Sequence, residues 1–357
     1  MIQRKGVLQN RIGLLLAMLL LTAAVLSGCS GSGIKERRAA AETALKNKDY
    51  QTAADEYTQL IASGGQLEEA YRGLGVARMG LGEYEEAKEA LLQSLANGGI
   101  LPKESSYDTN YYLAACCYKL GEVDEAIAIY DAILNLRDKD IDAYELRGTA
   151  KLQKKDEAGA RADFDKAFSL ASGSFDRILS YYEILSEYGM EELGRGYLEK
   201  TLADNDKALT DYEKGRLYYY LGDYAQSKTF LEQARAANGD YRTCSALGQT
   251  YEALGDYNYA ISVYETYLDT DKSHVEIYNR LGLCHMKMEN YADALRAFEQ
   301  GKATGGTEAM QDISYNEIVA HEYLGEWKQA ALLMETYLQN YPNDETAQRE
   351  YVFLKTR

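Results

Sequence analysis

The feature that most constrains this chain is a short grammar that returns at an almost fixed interval. It is clearest around Leu254-Gly255-Asp256-Tyr257-Asn258-Tyr259-Ala260. Before it, Cys244, Leu247, Gly248 and Tyr251 fall at i, i+3, i+4 and i+7, one face of an α-helix; after it, Ala260, Tyr264 and Tyr267 mark the face of a second helix. Gly255 is placed to end the first helix in the left-handed region, and Asp256 to cap the second with its carboxylate. The unit is a helix hairpin. Copies recur at Gly82-Glu83-Tyr84, Gly121-Glu122-Val123, Gly222-Asp223-Tyr224 and Gly325-Glu326-Trp327, with weaker ones around Ala53, Ala160, Gly194 and Ala294. With the small residue of the second helix as marker, the series 53, 87, 126, 160, 194, 227, 260, 294, 330 has spacings of 34, 39, 34, 34, 33, 33, 34 and 36.

Nine hairpins of about 34 residues, each with small, aromatic and glycine positions in the same order, resemble the tetratricopeptide repeat family. The resemblance covers Ile34 to the C-terminus. It implies an all-α fold: a right-handed superhelical solenoid of about nine repeats over 34–342, closed by a capping helix over 343–357. The composition agrees. There are 2 prolines in 357 residues, and most of the 30 glycines fall at hairpin turns, at tight-packing positions or between repeats. A formal charge of −17 argues against nucleic acid as partner, since binding it takes clustered Lys and Arg.

Residues 1–28 read as a processing segment: Arg4, Lys5 and Arg11, then the apolar run Ile12 to Leu26, then small residues. Leu26-Ser27-Gly28-Cys29 resembles the bacterial lipobox, which implies cleavage before Cys29 and lipidation of its sulfur. An ordinary signal and an uncut membrane anchor are the competing readings, and the run is short for a span of about 20 residues. Loss of three positive charges leaves the mature chain at −20, although residues 29–48 are locally basic. Residues 29–33 are expected to be the lipidated cysteine and a flexible tether, holding the first repeat close to a bilayer.

Other motifs are set aside. Gly73-Leu74-Gly75 lies inside a helix, not after a strand. His285 and His321 share a repeat position but have no evident third ligand for a metal, and Cys116, Cys117, Cys244 and Cys284 read as buried free thiols. There is no metalloprotease, phosphate-loop or nucleophile-elbow motif, so neither an enzyme nor a cofactor is expected. Repeat five, with Tyr182 where a small residue is usual and Gly194 where alanine is usual, is expected to be the weakest joint. The 39-residue spacing places five extra residues between Asn97 and Tyr107.

The resemblance implies a scaffold that holds a protein or peptide in a concave groove built by first-helix positions 2, 5, 9, 12 and 13. In repeat six these are Leu209, Tyr212, Arg216, Tyr219 and Tyr220, and in repeat three they include Tyr111 and Tyr118. Aromatics beside an arginine suit a partner surface. The family's clamp for a terminal carboxylate has no match beyond a lone Asn279, so an internal segment or a folded surface is the expected ligand. The expected location is the extracytoplasmic face of the cell membrane, or an outer membrane where one exists, with a role in envelope or surface-complex assembly. The alternative is a surface lipoprotein that captures a small molecule or glycan.

Overall fold

The computed structural model describes residues 31–171, 173–205, 207–306 and 309–357; the lipobox and Cys29 lie outside them. Within these residues the chain is nineteen helices with no strand. Two compact units divide at residue 172, and each is described by itself.

The first unit contains four hairpins: α1 (Gly31–Lys46) with α2 (Tyr50–Ala62), α3 (Leu67–Leu81) with α4 (Tyr84–Ala96), α5 (Glu104–Lys119) with α6 (Val123–Leu136), and α7 (Ile141–Gln153) with α8 (Glu157–Leu170). The second contains five: α9 (Phe175–Glu187) with α10 (Glu191–Asn205), α11 (Asp211–Tyr220) with α12 (Tyr224–Ala237), α13 (Tyr241–Leu254) with α14 (Tyr257–Leu268), α15 (Val275–Lys287) with α16 (Tyr291–Ala303), and α17 (Met310–Tyr323) with α18 (Trp327–Asn340). A last helix, α19 (Glu345–Leu354), packs on α18.

The hairpin turns carry the repeat. Each holds one residue of positive φ: Lys48, Gly82, Gly121, Lys155, Gly189, Gly222, Gly255, Glu289 and Gly325. Their separations reproduce the marker series of the sequence, term for term. Six of the nine are glycine, for which this conformation carries no Cβ penalty; Lys48, Lys155 and Glu289 adopt it at a cost of about 1–2 kcal/mol each. All nine small marker residues on the second helices are buried.

The reason for the small residue on the first helix is visible in the packing. A Cβ on Gly248 would stand 2.2 Å from the Tyr264 ring of the facing helix, and one on Gly282 would stand 2.2 Å from Phe298. The backbone of one helix is thus the floor on which an aromatic of the other lies. Hairpin five inverts the arrangement. Tyr182 sits on α9, and Gly194 on α10 lies so close that a Cβ would come within 2.9 Å of the Tyr182 Cα. The large residue therefore does not push the pair apart, because its partner position has lost its side chain. Among the described residues, the thinnest seam between consecutive helices within a unit lies instead between α10 and α11.

Two further expectations are corrected. Asp256 holds the N-cap position of α14 but its side chain makes no capping hydrogen bond, whereas Asp49, Asp156 and Asp223 at the equivalent turns do. The five extra residues do lie between Asn97 and Tyr107: they lengthen the connection over 97–103 and start α5 at Glu104, about one helical turn early. Helix α1 opens at Gly31, so 31–33 are helix where a tether was expected. Two glycines cost about 1 kcal/mol each relative to alanine there, and propagation from Ile34 onward carries them.

Candidate partner-binding surface

Repeat six supplies the core of the candidate site. The short helix α11 is opened by a capping box in which Thr210 and Glu213 satisfy each other's backbone N–H groups. That fixes the first turn and points Tyr212, Arg216, Tyr219 and Tyr220 along neighbouring turns. All four are half-buried. Arg216 Nη1 donates to Tyr212 Oη at 2.9 Å and Nη2 to Tyr220 Oη at 3.1 Å, and the guanidinium carbon stands 5.9 and 5.4 Å from those two ring centroids. Burial alone would lower its pKa, but the two tyrosines outweigh that and raise it, so the guanidinium remains charged. Tyr220 Oη donates to Glu183 Oε1 of α9 at 2.5 Å. Its ring meets Tyr182 edge-on at 5.4 Å and Tyr219 at 5.7 Å, and Tyr219 in turn packs on Tyr224 at 5.5 Å.

The arrangement is a rigid aromatic floor with a fixed cation in it. Burial pushes the Tyr219 and Tyr220 hydroxyls upward in pKa, so both stay neutral and can donate as well as accept. No carboxylate bonds Arg216 directly among its hydrogen bonds within the described residues. On the next hairpin, Arg242 lies 5.4 Å over the Tyr212 ring and reaches Asp176 at 3.4 Å. Repeat seven also brings Glu252, which pairs with Arg280 at 3.4 Å. Arg242 and Glu252 stand at positions 2 and 12 of repeat seven, so the position rule used for repeat six would have found them had it been carried one repeat further.

The repeat-three residues behave differently. Tyr111 Oη donates to Asp140 Oδ1 at 2.5 Å, and the same oxygen accepts the Ala143 N–H that starts α7. Burial and then Asp140 raise the Tyr111 pKa. Tyr111 is thus a latch between consecutive hairpins. Tyr118 is half-buried against the core of the first unit. Tyr111 and Tyr118 belong to the first unit and the repeat-six residues to the second.

The four cysteines in the described residues are buried and unpaired, and burial pushes the Cys116 and Cys117 thiols up to about 11 and about 12. One trio there could ligate a metal by proximity: Cys117, Glu122 and Glu125, with ligand atoms within 4.8 Å of one another. Lys88 Nζ already stands against both carboxylates, 2.6 Å from Glu122, and supplies the cation. His321 is buried, with Nδ1 2.5 Å from Glu326.

Models described as tetratricopeptide repeat match residues 38–99, 72–143 and 245–308, and a second such model matches 212–238; they indicate no catalytic family. The chain is 22% identical over 246 residues to "Protein CTR9 homolog" of Arabidopsis thaliana, covering 64% of this chain and 22% of that protein. It is 25% identical over 247 residues to "TPR repeat-containing protein MJ1428" of Methanocaldococcus jannaschii, covering 62% and 40%. It thus spans well under half of the length of these two relatives. A crystal structure of a tetratricopeptide repeat protein from Parabacteroides merdae aligns at 16% identity and a TM-score of 0.46, over 72% of this chain and 99% of that one. A crystal structure of MamA protein aligns at 18% and 0.41, over 50% and 94%. The recurring turn, the buried marker positions and these family matches agree: this chain belongs to the tetratricopeptide repeat family.

Proposed function

We propose that this protein is a lipid-anchored, extracytoplasmic scaffold that holds a protein or peptide partner on the tyrosine and arginine surface of repeats six and seven. Family membership supports an interaction scaffold. The observation that carries the site is Arg216, a charged guanidinium fixed by two neutral tyrosine hydroxyls and left without a direct carboxylate partner. A partner's acidic or carbonyl oxygen would find there a donor already oriented, and the half-buried tyrosines offer rigid contact area. The anchor rests on the sequence Leu26-Ser27-Gly28-Cys29 after a short apolar run. None of the described helices is long and apolar enough to cross a membrane.

Two experiments test the two halves. Cys29→Ala should release the chain from membranes or leave it unprocessed; a mature-sized variant that still fractionates with membranes would remove the lipid from the account. Tyr212→Ala with Tyr219→Ala should leave helicity and melting intact while weakening a partner crosslinked from intact cells by roughly 30-fold or more, the loss of one hot spot. Undiminished capture would move the site elsewhere.

A further inference from the structure

The three most exposed large apolar side chains in the described residues are Ile100, Leu101 and Leu136, at 103%, 79% and 65% exposure. All three stand on one edge of the first unit. Ile34, at the start of α1, lies against Gly65 in the α2–α3 connection, where a Cβ would come within 3.0 Å of it. Glu68, opening α3, accepts from Lys103 Nζ at 3.1 Å and Ser105 Oγ at 3.2 Å across the lengthened connection. Glu104 then takes Arg137 Nη1 at 2.9 Å at the end of α6, with the guanidinium 3.4 Å above the Tyr107 ring. These contacts join the beginning of α1, the 97–103 connection and the end of α6 into one continuous rim. A shallow pocket of about 210 Å³ opens between Ile100 and Leu136.

Both edges carry paired charges. On the apolar rim Lys103 faces Glu68 and Arg137 faces Glu104. On the opposite edge, where the hairpin turns lie, Arg78 pairs with Glu83, Lys88 with Glu122 and Glu125, and Lys154 with Asp124. What distinguishes the rim is its exposed apolar side chains, and an exposed apolar tip needs a cover.

We propose that Ile100 and Leu101, backed by Leu136, are a second membrane contact: a short apolar wedge that seats in the boundary between lipid headgroups and acyl chains. The proposal rests on the lipid-anchored reading of Cys29. What selects the bilayer as occupant is where the chain outside the described residues departs. It leaves from Gly31, on this same rim, two residues after Cys29. A link that short has a reach on the order of 10 Å, so an anchored chain keeps the apolar rim against the membrane and turns the hairpin-turn edge away from it.

The test uses the full chain, processed and reconstituted into vesicles that contain nitroxide-labelled lipid. An environment-sensitive fluorophore is attached at Leu101→Cys or, as control on the opposite edge, at the exposed Glu85→Cys. The four native thiols in the described residues are buried and do not compete for label. The expected result is lipid-borne quenching roughly severalfold stronger at 101 than at 85, as for a side chain seated 5–10 Å into the interface. Equal quenching at the two positions in a chain that still floats with the vesicles overturns the wedge and leaves the anchor standing. A chain that does not float overturns both. A label at 101 that is shielded from aqueous iodide but not quenched from the lipid also overturns the wedge, since a second copy or a partner protein then covers the rim.

Discussion

Glu322 should make the C-terminal end of the chain less stable as pH rises from 5 to 8. It projects from α17 with Oε1 buried and no hydrogen-bond partner among the described residues. Burial, and then repulsion from Glu350 of α19, push its carboxyl up to about 7 from an ordinary 4.5. The sign follows from proton binding. Between those two values the folded chain holds a proton that the unfolded chain has released, so stability falls as pH rises through the window, and the penalty is complete above about 7. At 1.36 kcal/mol per unit the ceiling is about 3 kcal/mol, and partial exposure of the group reduces this to about 1–2 kcal/mol. Glu322→Gln keeps the shape and removes the charge. Trp327, the sole tryptophan, is a built-in reporter: its ring meets Phe353 of α19 edge-on at 6.2 Å, and Arg357 lies 5.5 Å over it. Urea titrations followed by its emission should show the wild-type midpoint falling from pH 5 to pH 8. The variant should lose that part of the fall, and the titration of other groups cancels in the difference. An identical pH dependence in the two proteins, or a variant that loses more stability than the wild type between pH 5 and pH 8, would refute the reasoning.

Three other outcomes are expected. Asp163, 3% exposed, is held between Arg147 and Lys151, and Asp163→Ala should cost about 3 kcal/mol in chemical unfolding because Lys151 loses its counter-charge and Arg147 keeps only Asp131; the pair Asp163→Leu with Arg147→Met should cost less. Gly248→Ala should destabilise by about 1–3 kcal/mol as its methyl meets the Tyr264 ring, and Tyr264→Leu in the same chain should recover part of that loss, a non-additivity readable in a double-mutant cycle. Hydrogen exchange should show the facing ends of α10 and α11 less protected than those of α13 and α14, and uniform protection across the second unit would contradict the thin seam there.

The sequence carries the hairpin count and the turn positions because those depend on neighbours in the chain. A left-handed residue at a helix end and a small residue five positions later are local requirements, so the period survives even where Lys48, Lys155 and Glu289 replace glycine. Features that need two distant residues to be read together are harder to see. Tyr182 alone looks like a clash, and Gly194 alone looks like a weak helix position; neither shows that the other compensates. Asp256 has the residue type of a cap without the side-chain rotation that makes one. The candidate surface is divided in the same way. Tyr212, Arg216, Tyr219 and Tyr220 follow from repeat position. That Tyr111 is tied to Asp140 while Arg216 lacks a carboxylate partner depends on facing helices, and periodicity within one helix is silent about them.

The inverted pairing in hairpin five bears on how arrays of this kind can be rearranged. Where glycine sits on the first helix and an aromatic on the second, one hairpin can substitute for another, because each first helix offers the same flat floor. Helix α9 offers no such floor. Moved into another hairpin, it would set Tyr182 against a second helix that still carries its Ala or Ser marker, such as Ser227 on α12, and two side chains would compete for one space. Exchange of single first helices between hairpins is therefore open where glycine holds this position, whereas α9 can be exchanged only together with α10, as a whole hairpin.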